Sequence, residues 1–167
     1  MQILLNLEIV SGFLTELRSA GSREIGGLLF GEHIGGDAFR VVEFTVQKRG
    51  GNHGSFVRNP DEHNEELQRF FEKTGENHTR FNYLGEWHSH PSFPPVPSVQ
   101  DVETMHGIVN NPEVGANFLV LLILRRKADA LAMSAMVFRS GYVPEPVQVY
   151  TELRPESPPA RRRIRTL

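Results

Sequence analysis

The chain has 167 residues, a length that suits one domain built around one hydrophobic core. Hydrophobic residues make up 39% and charged residues 23%, and a net charge of −2 gives no overall basic field to draw the chain to nucleic acid. The absence of cysteine removes disulfides, thiolate metal sites and a cysteine nucleophile together, and it agrees with a reducing cytoplasm.

Reading from the N-terminus, MQILLNLEIVSGF carries no basic n-region and no small-residue cleavage site, so it does not read as a signal peptide. Gln2 to Leu7 reads as a short strand. Ile9, Phe13, Leu14 and Leu17 follow at helical spacing, with Gly21 as the stop. Ile25 to Ile34 is apolar and punctuated by glycine, which predicts a buried strand. Gly35-Gly36-Asp37 makes a turn into a second strand over Phe39 to Gln47. Arg49 to Asn59 is expected to be a loop. A helix over Asp61 to Lys73 follows, with acidic residues in its first turns as the helix dipole favours.

Tyr83 to His90 reads as a strand ended by Pro91, and Ser92 to Pro97 as a proline-rich loop. Ser98 opens a helix that runs to about Val109. Phe118 to Leu124 and Ala130 to Phe138 form another hairpin. Val143 to Leu153, interrupted by Pro144 and Pro146, is expected to be a last edge strand. The longest apolar run, Phe118 to Leu124, is far too short to cross a bilayer. Arg154 to Leu167 has three prolines and five arginines and is expected to be a mobile basic tail beyond a domain of residues 1–153. The sum predicts a single α/β domain, a mixed curved sheet flanked by about three helices.

The segment from Leu84 to His106 holds three of the seven histidines. His88 and His90 are two apart, so on a strand they point to one face and can grip one cation. Asp101, on the helix that follows, supplies a carboxylate. Nitrogen and oxygen ligands of this kind suit one Zn²⁺ per chain, and three of them leave a fourth position for water. The metal lowers the pKa of that water and makes it a nucleophile. Each residue also has a plainer reading. A His-x-His pair occurs as half-exposed strand residues, and Ser98-x-x-Asp101 is a helix-capping arrangement. The two readings are compatible for Ser98, whose backbone can start the helix while its hydroxyl faces the metal. Taken together, His-x-His, seven residues, Ser, two residues, Asp arises by chance in a chain of this composition about 4 times in 10,000. His106 lies about 140° around the helix from Asp101 and is not expected to be a fourth ligand. His33, His53, His63 and His78 read as surface residues. Trp87, Ser89 and Pro91 read as a core aromatic, a strand residue and a strand stop.

At these residues the sequence resembles the JAMM, or MPN-plus, metalloprotease family. That family's pattern is a glutamate near an early strand, then His-x-His-Pro, a Ser that follows the second histidine after seven intervening residues, two residues, Asp. Here it is matched by Glu24 in Arg-Glu-Ile-Gly-Gly-Leu-Leu-Phe-Gly, by His88-Ser89-His90-Pro91, and by Ser98 and Asp101. The resemblance implies His88, His90 and Asp101 as zinc ligands, Glu24 as general acid/base and Ser98 as a hydrogen-bond donor to the oxyanion. By itself Glu24 reads as a solvated strand-end residue, and only the resemblance gives it a role. The resemblance also implies cleavage after the C-terminal glycine of a ubiquitin-like protein or its conjugates, whose tail is expected to lie as an added strand beside the site. A compact chain without cysteine looks like a prokaryotic member of the kind found in operons, including antiphage operons, with activating and conjugating enzymes. Three other readings remain beside it. One is an inactive MPN-type scaffold, and another is a zinc hydrolase of small peptide-like adducts. The third is nucleic-acid binding by Arg161-Arg162-Arg163 and Arg165, which a short basic tail does not specify.

Overall fold

The computed structural model describes residues 1–47, 51–52, 55–56 and 60–152, with backbone alone at 51–52, 55–56 and 60–63. The expected basic tail lies outside these residues, as do the side chains of His53 and His63. Strand β1 (Gln2–Leu5) leads into helix α1 (Leu7–Ala20). Asn6 caps α1, its side-chain oxygen accepting from the Ile9 N–H at 2.8 Å. Gly21 ends it at φ +65°, its N–H returned to the Leu17 carbonyl. Strands β2 (Gly26–Gly35) and β3 (Ala38–Phe44) form the first antiparallel pair. The segment expected to be a loop contains a two-stranded sheet instead, β4 (Gly51–Asn52) against β5 (Ser55–Phe56). These strands carry too little hydrophobic alternation to announce themselves in the sequence. Helix α2 (Pro60–Lys73), β6 (Phe81–Ser89), α3 (Val99–Val109), β7 (Leu119–Lys127), β8 (Ala130–Phe138) and β9 (Glu145–Thr151) complete the chain.

Seven strands close into a barrel in the order β1-β3-β2-β6-β7-β8-β9, with β9 returning to pair in parallel with β1. The last strand is therefore no edge strand, contrary to the expectation raised by Pro144 and Pro146. Pro146 sits opposite Met136 where β8 and β9 meet, and the rest of β9 turns away to β1. The mixed sheet with three helices otherwise agrees with the sequence reading. Among the described residues, no helix is long and apolar enough to cross a membrane.

The apolar run of β7 is buried on both faces, which explains why it shows no alternation. Val120, Leu122 and Leu124 face α1, with Ile9, Phe13 and Leu17. Leu119, Leu121 and Ile123 face α3, with Met105, Ile108 and Val109. Helix α2 covers the neighbouring part of that second face by setting Phe70 against Leu28 and Phe30. Strand β6 passes between these layers and carries a bulge opposite the Leu29–Phe30 step. At the bulge Gly85 has φ +143°, and a Cβ there would stand 1.9 Å from the Val120 carbonyl oxygen. Only glycine lets β6 approach β7 so closely.

Candidate metal centre

His88 and His90 stand at the end of β6, on the face that α2 and α3 share, because Gly85 to Ser89 run in register with Val120 to Leu124. Trp87, between the turns of this alternation, points the other way into the core. There it meets Phe13 and Phe44, and its Nε1–H donates to the Thr45 carbonyl at 2.8 Å. The histidines are buried, with His88 7% exposed and His90 9%. Their Nε2 atoms lie 3.1 Å apart. Asp101 reaches the same point from α3, with Oδ1 3.4 Å from His88 Nε2 and Oδ2 3.9 Å from His90 Nε2.

Among the described residues these three side chains make up a group able to hold a metal ion. A tetrahedral ion with bonds of about 2.0–2.1 Å requires donor atoms roughly 3.3 Å apart. The three observed separations bracket that value, so the residues fit such an ion. The face they leave free is where a fourth ligand would bind.

Two of the three ligand-capable side chains, His90 and Asp101, are held by further contacts, as is usual around metal ligands. His90 Nδ1 lies 3.0 Å from the Pro94 carbonyl oxygen. An acceptor there calls for a proton on Nδ1 and leaves Nε2 bare toward the other two groups. The Ser134 hydroxyl donates to the next carbonyl, that of Pro95, and so ties the proline-rich loop to β8. Asp101 is part of a complete capping box: its Oδ2 accepts from Ser98 N–H at 2.7 Å, while Ser98 Oγ accepts from Asp101 N–H at 3.2 Å. The cap thus aims Oδ1 at His88. Burial pushes the Asp101 carboxyl up, but the His88 imidazole and the two Ser98 bonds outweigh it and hold the group at about 2. Asp101 is accordingly ionised, as a ligand must be.

Glu24 precedes β2 and is buried at 7% exposure, not solvated as its place in the sequence suggests. Gly26 pairs with His88, so counting two residues further along each strand sets Glu24 across from His90. The pairing does continue, since the Ser89 N–H donates to the Ile25 carbonyl at 2.8 Å and the Ile25 N–H donates to Ser89 Oγ at 3.0 Å. No partner holds the Glu24 carboxyl among the described residues, which leaves it available on the face of the two histidines. At Gly26 an added Cβ would stand 2.8 Å from His88 Cβ, so a bare backbone here is what lets β2 close on the histidine.

Ser89 is the residue whose importance the sequence reading missed. It is 1% exposed, and its hydroxyl fastens the Glu24 segment to β6. The available signal was its position: between two histidines that share one face, the serine must point into the core, where a hydroxyl needs a partner. His106 packs edge-on against Phe138 and stays outside the metal group. His33 and His78 are exposed, as expected.

The family model described as prokaryotic homologs of the JAB domain matches residues 7–139. Among solved structures, the fold is similar to the solution structure of protein DSY2949 from Desulfitobacterium hafniense, at 20% identity and a TM-score of 0.65. That alignment covers 92% of this chain and 95% of the other. No curated protein matches the sequence. The matched span takes in every residue of the metal group and its supports, and the chain belongs to the family of prokaryotic JAB-domain homologs.

Proposed function

We propose that the chain is a JAMM-type zinc metalloprotease, an isopeptidase that cleaves after the C-terminal glycine of a ubiquitin-like protein or its conjugates. The observation that carries this reading is the convergence of His88, His90 and Asp101 at 3.1–3.9 Å, with the buried Glu24, unpartnered among the described residues, across the strand pair from His90.

His88 Nε2, His90 Nε2 and one Asp101 oxygen would hold the ion. Zn²⁺, when bound, would supply Lewis acidity and bring the pKa of water toward neutrality. Glu24 orients the attacking water by accepting its hydrogen bond, takes its proton and delivers a proton to the leaving amine. The Ser98 oxygen accepts at the helix cap and its hydroxyl lies against the Asp101 carboxylate, from which it would turn to donate to the developing oxyanion. Ser89 holds the Glu24 backbone in place.

The substrate tail finds no open edge on β6, which is paired with β2 on one side and β7 on the other. We therefore assign strand addition to the outer edge of the β4–β5 sheet, the one sheet among the described residues that is not closed. Its first residue, Gly51, follows Gln47 by four residues, within about 14 Å of chain, and the Gln47 N–H is bonded to the Gly26 carbonyl beside His88. The activating and conjugating enzymes of such a modification system are the proposed functional companions, in a cytoplasmic setting.

The experiment is cleavage of ubiquitin-like proteins extended past their terminal glycine, by the parent chain and by Glu24→Ala with metal content measured alongside. The parent should cut and the variant should bind metal without cutting. If Gly-tail fusions survive while unrelated dipeptides are hydrolysed, the enzyme acts on small adducts. If neither is cut by the metal-loaded chain, the fold serves as a scaffold.

A further inference from the structure

The pairing of β6 with β7 begins at Gly85 and Val120. Ahead of that register, the foot of β6 and the stretch 111–118 frame a cavity of about 650 Å³, which Leu67 and Phe71 of α2 also line. The metal group lies at the other end of the strand. Tyr83 lines the cavity, and His88 follows it by five residues, roughly 17 Å along an extended chain. Two kinds of side chain give the cavity its character. Phe39, Phe71, Tyr83 and Phe118 are half-buried and leave aromatic surface toward the space, with Phe39 and Phe118 5.1 Å apart ring to ring. Asn64, Asn82, Asn111 and Asn117 supply carboxamides. Asn82 is engaged locally, donating to the His78 carbonyl at 3.3 Å and accepting from the Tyr83 N–H at 2.8 Å. Asn111 accepts from the Glu113 N–H at 3.0 Å. The side-chain amides of Asn64 and Asn117 make no hydrogen bond among the described residues.

Charge narrows the choice of ligand. Among the described lining residues Arg80 is the one arginine or lysine, and its Nε and Nη2 both donate to Glu32 Oε1, at 2.9 and 2.7 Å. The one carboxylate of the lining is Glu113. An anionic ligand therefore finds no spare arginine or lysine there. The volume falls within the range of small-ligand sites, about 300–1,000 Å³. We infer that this cavity binds a planar, uncharged heteroaromatic ligand, a purine nucleoside by chemical class. Aromatic faces take up such a ring by stacking. A carboxamide, donor and acceptor at once, matches the mixed donor and acceptor edge of a purine. A phosphate group or a nucleic-acid strand calls instead for arginines and lysines along its path. The inference does not rest on the protease reading, since no residue of the metal group takes part.

The test is saturation-transfer NMR and titration calorimetry with adenosine and guanosine. It is run on the full parent chain, on His90→Ala and on the double variant Asn64→Leu, Asn117→Leu. At least one of the two nucleosides should bind the parent with a Kd below about 1 mM, with saturation reaching its base protons more than its ribose protons. The double variant should bind at least about tenfold more weakly, having lost two hydrogen-bonding amides. Raising the salt should leave the affinity unchanged, because no ion pair forms. Equal binding to His90→Ala separates this inference from the metal and proteolysis claims. Both asparagines are exposed, so the double variant should fold; a thermal melt checks this, and Asn117→Leu alone serves if it does not. No binding of either nucleoside, or no loss in the variants, overturns the inference. So does ribose that binds as well as the nucleoside. Binding of the 5′-monophosphate or of a single-stranded oligodeoxyadenylate at least about tenfold tighter than the nucleoside would mark a phosphate site and overturn it too.

Discussion

Replacing Ser89 with alanine removes one oxygen atom from a site that is 1% exposed. The Ile25 N–H, which donates to that oxygen at 3.0 Å, then has no acceptor and little access to water, since Ile25 is itself 8% exposed. Stranding a buried donor costs about 1–3 kcal/mol. For a domain of this size each kcal/mol moves the melting temperature by about 2–4 °C, so the variant should melt roughly 2–12 °C below the parent. The Ile25 amide should exchange with solvent faster, because its partner is gone while the Ser89 N–H to Ile25 carbonyl bond remains. Under the proposed mechanism, turnover should fall more than the melting temperature implies, since the loosened segment carries Glu24, and bound metal should stay the same. Differential scanning calorimetry, amide exchange and metal analysis on one preparation read all three. An unchanged melting temperature with unchanged exchange at Ile25 would refute the reasoning.

Ser134→Ala frees the proline-rich loop from β8 and with it the Pro94 carbonyl that faces His90 Nδ1. Metal affinity, measured by chelator competition, should drop about 10–100-fold, and Ser134→Thr should restore it. Ser98→Ala removes both the helix cap and the proposed oxyanion donor, so it should cost about 1 kcal/mol of stability and slow turnover by about 10²–10³-fold. A stability loss with normal turnover would make Ser98 a cap alone. Glu32 is held below its ordinary value chiefly by the Arg80 hydrogen bond, against the opposing push of burial and with Arg40 assisting. A lowered carboxyl contributes stability that is present above its ordinary value of 4.5 and is lost as the pH falls further. The melting-temperature gap between the parent and Arg80→Ala should therefore be constant near neutrality and narrow below about pH 4.5. Because Arg80 is exposed, the gap should also narrow in high salt.

How far the sequence discloses this site depends on how local each feature is. His88 and His90 are legible because the strand period alone places them on one face. Asp101 is legible because a capping box starts its helix within eleven residues. In the structure the cap and the candidate ligand set are one device: the Ser98–Asp101 bonds that begin α3 also aim the carboxylate at His88. Glu24 is not legible from local pattern. Its burial follows from β2 pairing with β6, more than sixty residues away in the chain, and only family resemblance anticipated its place. Ser89 was passed over for the same reason, its partner Ile25 belonging to the distant strand. The barrel's closure was equally hidden, because β9 is polar on alternate positions, carries Pro146 and follows Pro144. A strand with that pattern reads as an edge until its parallel partner β1, at the other end of the chain, is known. The fold class was legible because hydrophobic period and turn residues mark most elements within two or three positions of their observed ends.

The most direct test is the zinc content of protein purified without an affinity metal, measured side by side for the parent, His90→Ala and Glu24→Ala. The account predicts about one zinc per chain in the parent, almost none in His90→Ala and about one in Glu24→Ala, because Glu24 faces the site without belonging to its ligand set. A parent chain that takes up no zinc even when it is supplied, or a Glu24→Ala chain that loses it, would contradict the assignment of His88, His90 and Asp101 as the metal centre.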